Sequence, residues 1–177
     1  MPWRLEHEVL IAGALRVAVQ RIGITHWRPA GRLRSWGLAP LHREGNAVFV
    51  PCADTEALWL GAWLEEGADA ARVELGRQTG GARASVTLPP DGQLSALDDA
   101  VQGPQPLTLA ASISHRARQR GALELRLELR LELNPDSSPS TAALEFVLLT
   151  PDNWASRSGR TPTAPRTTPP PRPPRLG

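Results

Sequence analysis

Trp27, Arg28, Arg32, Arg34 and Trp36 interleave guanidinium groups with indoles over a short stretch. That mixture can grip a phosphate backbone by charge and stack nucleobases on its rings. The same residues also compose an ordinary solvated loop. Trp59 and Trp63, four apart, fall on one side of either a strand or a helix. Such a pair can stack on sugar rings or bases, or anchor a core or an interface. Glu124, Arg126, Glu128, Arg130 and Glu132 alternate in sign at every second position. On an exposed sheet edge, two copies paired antiparallel about Leu127 would set Glu124 against Arg130 and Arg126 against Glu128. Centring on Glu128 instead opposes like charges. Inside a sheet the stripe would simply solvate the outer face and bond its neighbours, and that is the expected arrangement. Near the C-terminus, Pro170, Pro173 and Arg175 match a P-x-x-P-x-R pattern that suits an aromatic docking groove. A solvated proline-rich tail produces the same match by chance.

The remaining reactive side chains form no constellation. His7, His26, His42 and His115 are scattered, and none stands at a metal-ligand spacing with another or with Cys52. Glycine-rich phosphate loops, dinucleotide fingerprints and the G-x-S-x-G elbow are missing. Glu65-Glu66 and Asp98-Asp99 are adjacent acids in expected loops, where solvation explains them. Cys52 follows a proline at a strand end and reads as a buried structural thiol. The expectation is a non-enzymatic chain without metal or cofactor: an interaction or structural module, such as a subunit of a larger bacterial or phage assembly. Its partners would be other subunits or a second copy. The alternative is a ligand-binding module for carbohydrate or single-stranded nucleic acid.

Composition narrows the classes further. The chain has 177 residues, enough for one domain with a core and some chain to spare. All 20 cations are arginine, which reads as codon bias in a GC-rich genome. The basic pI of about 9.8 is local in origin. Residues 1–45 carry +4, 46–105 carry −6, 106–150 are neutral and 151–177 carry +4. The body through residue 150 is thus net negative, which weakens a nucleic-acid reading that needs a basic folded face. With one cysteine, no intrachain disulfide can form. Glu6 and Glu8 spoil a signal-peptide start, and no apolar run approaches a membrane span. The expected compartment is therefore the cytoplasm.

The elements that must position these residues are mostly strands. Leu123, Leu125, Leu127, Leu129, Leu131 and Leu133 alternate with Glu and Arg. Leu, Glu and Arg favour helices, but a helix would spread the leucines around its axis and bury charge with them. Burial is worth about 1.5–3 kcal/mol per large apolar side chain and propensity only tenths, so the period of two predicts a half-buried strand. Alternation also predicts strands at 15–20, 47–50, 72–75, 83–88, 107–115 and 143–149. At Arg21 the alternating phase slips by one, as at a bulge or strand break. Residues 29–45 read as a loop, and 94–101 as one or two helical turns. The segments 107–115 and 122–133 are expected to form a hairpin.

Residues 56–65 admit helix or strand; Gly61 and the β-like surroundings favour strand. The run Glu56-Ala57-Leu58-Trp59-Leu60-Gly61-Ala62-Trp63 resembles a Glu-Ala-(Leu/Met)-Trp strand motif of uncharacterised bacterial and fungal β-rich proteins. The hairpin Val73 to Val86 and the turn Leu88-Pro89-Pro90 extend the resemblance over about a third of the chain. It implies a strand at 57–64 and no activity. The fold expected is all-β, a single antiparallel β-sandwich of seven or eight strands over residues 1–155. A disordered, polyproline-like tail would follow from 156 to 177.

Overall fold

The computed structural model describes residues 2–29, 33–66, 70–77, 81–109, 124–133 and 140–164. Among them are thirteen strands in two sheets, and not the expected single sandwich of seven or eight. The smaller sheet runs in the order β1 (Arg4–Glu6), β2 (Val9–Ala12), β3 (Leu15–Gly23), β6 (Glu56–Leu64), β9 (Gly92–Leu94). The larger begins with β11 (Gly103–Pro106), β10 (Ala96–Asp99), β8 (Arg83–Leu88) and β7 (Ala71–Arg77). It continues through β12 (Glu124–Leu133), β13 (Ser140–Leu149), β5 (Ala47–Pro51) and β4 (His42–Glu44). Every pairing is antiparallel except β13 with β5, which is parallel. One buried apolar cluster draws on both sheets, with Leu15, Val17, Val19, Leu58 and Leu60 from the smaller and Val73, Leu75, Leu127, Leu129, Leu131, Leu144 and Phe146 from the larger.

The leucine alternation at 124–133 forms the strand its period demands. Leu127, Leu129 and Leu131 are buried, while Glu124, Arg126 and Arg130 are exposed. In register they sit beside Phe146, Leu144 and Ala142 on one flank, and Leu129 and Leu131 beside Leu75 and Val73 on the other. The leucines thus form part of an apolar wall facing the small sheet. The motif at 56–64 is also strand, with Glu56, Leu58, Leu60 and Ala62 buried on one side.

Four expectations need correction. The slip at Arg21 is no break, since β3 and β6 stay in continuous register from Leu15↔Leu64 to Gly23↔Glu56. Arg21 simply occupies an inward position, where Glu56 neutralises it, so the hydropathy pattern shifts while the backbone does not. Residues 94–101 hold strands β9 and β10 in place of a helix. Leu94 and Leu97 face the core, and Asp99 caps the following turn by accepting from the N–H groups of Val101 and Gln102 at 2.9 Å. The partners of β12 are β7 and β13; Leu107 bridges instead to Leu58 of the small sheet. Residues 110–123 of that expected hairpin lie outside the described residues. Within the expected loop at 29–45, β4 forms at His42–Glu44 and Leu38 bridges to Gln20.

The expected boundary at residue 155 falls inside helix α1 (Pro151–Ser158). Its stop and start signals are complete. The Thr150 side chain accepts from Asn153 N–H, Pro151 opens the helix, Arg157 sits in the last turn and Gly159 closes it at φ 68°. Trp154, fully buried, seats the helix on the outer side of the large sheet against Phe49, Val147 and Leu149. Its Nε1–H donates to Phe49 O at 2.9 Å. Arg157 lies 3.9 Å over the Phe49 ring and binds Glu44 at 2.8 Å. Beyond the helix, Arg160 binds Glu8 at 2.7 Å and donates to Leu41 O at 3.1 Å. The strap therefore ties the edge of the large sheet to the β1–β2 turn. No helix among the described residues is long and apolar enough to cross a membrane.

Leu129→Ala is expected to cost about 2–5 kcal/mol in urea unfolding, because the wall closes poorly around the void. Glu128→Ala, on the same strand and the opposite face, should cost under about 1 kcal/mol.

Candidate functional site

The charge stripe lies on an interior strand. With β13 paired along 124–133 and β7 along 127–133, β12 has no free edge on which a second copy could pair about Leu127. Its charges are neutralised within the sheet. Arg126 donates to Glu124 at 2.8 Å and to Glu145 of β13 at 2.6 Å, and these bonds hold its pKa above the ordinary guanidinium value. Arg130 binds Glu128 at 2.8 Å, Arg83 binds Glu74 at 2.8 Å, and Glu132 stands opposite Arg72 in register. Arg72, Glu74, Glu128, Arg130, Glu132 and Thr141 line an open concavity of about 470 Å³. In it Glu74 and Glu128 each already have an arginine partner. Of the four strands that end the two sheets, all short, three carry charge or proline: β1 has Arg4 and Glu6, β4 has Arg43 and Glu44, and β11 has Pro104 and Pro106, whereas β9 (Gly92–Leu94) has neither. Shortness, charge and proline discourage edge-to-edge addition at β1, β4 and β11.

The Trp–Arg loop is divided by the fold. Trp27 Nε1–H donates to Ser95 O at 2.8 Å, which fixes it on the link between β9 and β10. Trp36 donates its backbone N–H to Arg21 O, and its indole covers Gly23, where a Cβ would stand only 2.6 Å from the ring. The ring of His26 lies 4.9 Å from it, centroid to centroid. Arg28 bonds the carbonyls of Thr25 and Trp27, so its guanidinium serves its own loop. Arg34 is exposed, and Arg32 lies outside the described residues. No common platform of two indoles and three free arginines emerges from the placed residues.

Trp59 and Trp63 do share a face. Register places Ile11, Arg16 and Trp63 in one row across the small sheet, Val9, Ala18, Gly61 and Gln93 in a second, and Leu38, Gln20 and Trp59 in a third. By alternation these rows lie on the side opposite Leu15, Val17 and Val19, and on that side Ile11 and Ala18 are nonetheless buried. Trp59 reclines along its own strand over Gly61, where a Cβ would sit 3.2 Å from ring carbon Cζ3. Glycine at this place lets the indole lie against the strand. Both tryptophans are half-buried, and Leu38 is 44% exposed. The Nε1–H of Trp59 is buried without an acceptor, a cost of about 1–3 kcal/mol if left unmade. Arg16 flanks Trp63, bonds Gly13 O at 2.7 Å and pairs with Glu65. Sequence reasoning found the two tryptophans and missed Leu38, whose only local signal is an apolar residue two places after Trp36.

A buried polar group sits at one end of the β3–β6 pairing. Arg21 and Glu56, with side chains 4% and 3% exposed, pair at 2.7 Å. Arg21 also donates to Thr163 O at 2.5 Å, which anchors the end of the strap. The other Glu56 carboxylate oxygen accepts from Ala53 N–H at 3.1 Å, while its backbone carbonyl accepts from Thr108 Oγ1 at 2.6 Å and from Cys52 Sγ at 3.6 Å. Burial pushes the Cys52 thiol up to about 11. A neutral, enclosed thiol of this kind is a packing group. Among the described residues no set of three or more His, Cys, Asp or Glu side chains gathers as a metal site. The tail residues Pro170, Pro173 and Arg175 lie outside the described residues. Comparison with protein-family models, curated proteins and solved structures finds no match.

Glu56→Gln should destabilise the fold by about 3–5 kcal/mol in denaturant titration, because it strands the Arg21 charge. Replacing both, Arg21→Met with Glu56→Leu, should recover much of that loss. Cys52 should resist alkylation in the native protein at pH 8 and react promptly once urea unfolds it; equal rates in both states would contradict its placement. Because the folded-state pKa is the higher one, the stability that Cys52 contributes is complete below the unfolded value near 8.5. It is lost as pH rises towards 11.

Proposed function

We propose that this chain is a non-enzymatic interaction module, a subunit that binds another protein through the outer face of its small sheet. The observation that carries the reading is the row structure of that face, in which Trp59, Trp63 and Leu38 gather outward on strands whose other side is core. Half-buried tryptophans on a rigid sheet bring large contact area at little cost in side-chain entropy, as interface anchors do. The outer face of the large sheet lacks this character, since its charges are bonded to one another and its apolar corner is covered by α1. Charge or proline on β1, β4 and β11 disfavours association through those edges.

A second reading has its own support. An indole laid along a strand presents one ring face outward, which is the geometry that stacks on a sugar ring. The Arg-rich loop gives less support to nucleic acid, because Trp27, Trp36 and Arg28 are each engaged locally.

Affinity capture from the source organism should recover one protein with wild type and equally with Arg130→Glu, but not with Trp59→Ala/Trp63→Ala checked for unchanged circular dichroism. Equal recovery by that double variant would overturn the reading. Quenching of tryptophan fluorescence by glycans, absent with single-stranded DNA, would favour the sugar-binding alternative.

A further inference from the structure

We infer that the protein bound on the Trp59–Trp63 face is a second copy of this chain, related to the first by a two-fold axis that crosses the strands over Ala18 and Gly61. This inference rests on reading that face as an interaction surface.

The register of the small sheet carries the assignment. The rows of Trp63, of Gly61 and of Trp59 follow one another along the strands about 7 Å apart. Their columns coincide as well. Leu38 pairs with Gln20 on the flank of β3 that β2 occupies further along, so Leu38 and Ile11 share one column. Arg16 and Gln20 share the next, on β3, and Trp63 and Trp59 the third, on β6. A two-fold axis over the middle row lays the first row of one copy on the third row of the other and keeps every column in place. Trp63 then meets the partner's Trp59, Arg16 meets the partner's Gln20, and the Ile11 column end meets the partner's Leu38. Indole falls on indole, polar on polar and aliphatic on aliphatic, and the symmetry repeats each contact. Moving the axis to the first row, or turning it along β3, would set Arg16 against the partner's Arg16.

Relief and charge agree with this axis. The middle row is low, since Ala18 is buried and Gly61 has no side chain. Trp59 reclines over Gly61 towards the axis, so the four indoles of a pair gather in one cluster. Offset stacking of such rings adds to the area they bury. Arg16 is already paired with Glu65, and Gln20 accepts from Ser35, so closing the face strands no charge. Facing sheets pack about 10 Å apart, a distance that side chains of this size fill. Three rows by three columns make a contact at the small end of specific interfaces, below about 1,200 Å² in total. The pair therefore belongs at the weak, micromolar end of association.

The test is sedimentation of the full chain at concentrations from about 1 to 500 μM. Wild type should pass from monomer to dimer with no larger species, because a two-fold contact closes on itself. Gln20→Arg, which sets a cation against the partner's Arg16, should weaken the dimer about tenfold or more, and Gln20→Glu should tighten it. Trp59→Ala/Trp63→Ala, with unchanged circular dichroism, should stay monomeric, while Arg130→Glu on the other sheet should dimerise as wild type does. A chain monomeric at every concentration would overturn the inference. So would a dimer that both Gln20 variants weaken alike, or one that survives loss of both tryptophans. If the chain stays monomeric while partner capture still depends on Trp59 and Trp63, this inference fails and the proposed function stands. If neither self-association nor partner capture needs them, both fail.

Discussion

Leu127, Leu129 and Leu131 are the constraint on which the other elements depend. Their period of two fixes which side of β12 faces inward, and a shift of one residue would turn five charges into the core. Once that side is set, β7 and β13 must match it, and they do: Leu75 and Val73 on one flank, Leu144 and Phe146 on the other. The small sheet then has one apolar wall to cover, which it meets with Leu15, Val17, Val19, Leu58 and Leu60. Each sheet leaves a second side outward, and the two outward sides differ in kind. One is bonded charge; the other is half-buried tryptophan over buried Ile11 and Ala18.

The Arg21 end of the β3–β6 pairing is organised by a different principle. Arg21 is an inward residue that should have been apolar, and its burial is tolerated because Glu56 and the Thr163 carbonyl both meet it. The pair is costly to break and of modest net worth against an apolar substitute. Its value lies in position. It marks where the strap that began at Trp154 comes to rest, so the C-terminal segment is held at both ends across two sheets. Arg157 and Arg160 lie between those ends, each stacked on a ring and paired with a carboxylate.

Much of this was legible from the chain. The leucine stripe and the strand at 56–64 were plain because alternation is strong and burial outweighs helix propensity there. The charged stripe could also be read, although whether it lay on an edge or an interior strand depends on partners distant in sequence. Arg21 misled, since a buried ion pair looks in a hydropathy pattern like a break. Helix α1 was missed despite Thr150, Pro151 and Gly159, because arginine and proline nearby gave the stretch the composition of a tail. The division of the Trp27–Trp36 loop was out of reach. It follows from Ser95 and Gly23, and no local pattern announces that two indoles nine residues apart are engaged by different parts of the fold. The pairing of Leu38 with Gln20, which completes the aromatic face, is likewise a tertiary event.

The parallel pairing of β5 with β13 joins segments far apart in the chain. Ala47–Pro51 lies next to Glu145–Leu149, nearly a hundred residues later in the chain. The β4–β5 hairpin therefore gains its second neighbour only from a segment far along the chain. Contacts of such long sequence separation close late and slowly. The strap follows immediately, bringing Trp154 onto Phe49 within a few residues of the end of β13. The helix thus covers, from the chain segment that follows β13, the apolar outer side of a strand nearly a hundred residues earlier.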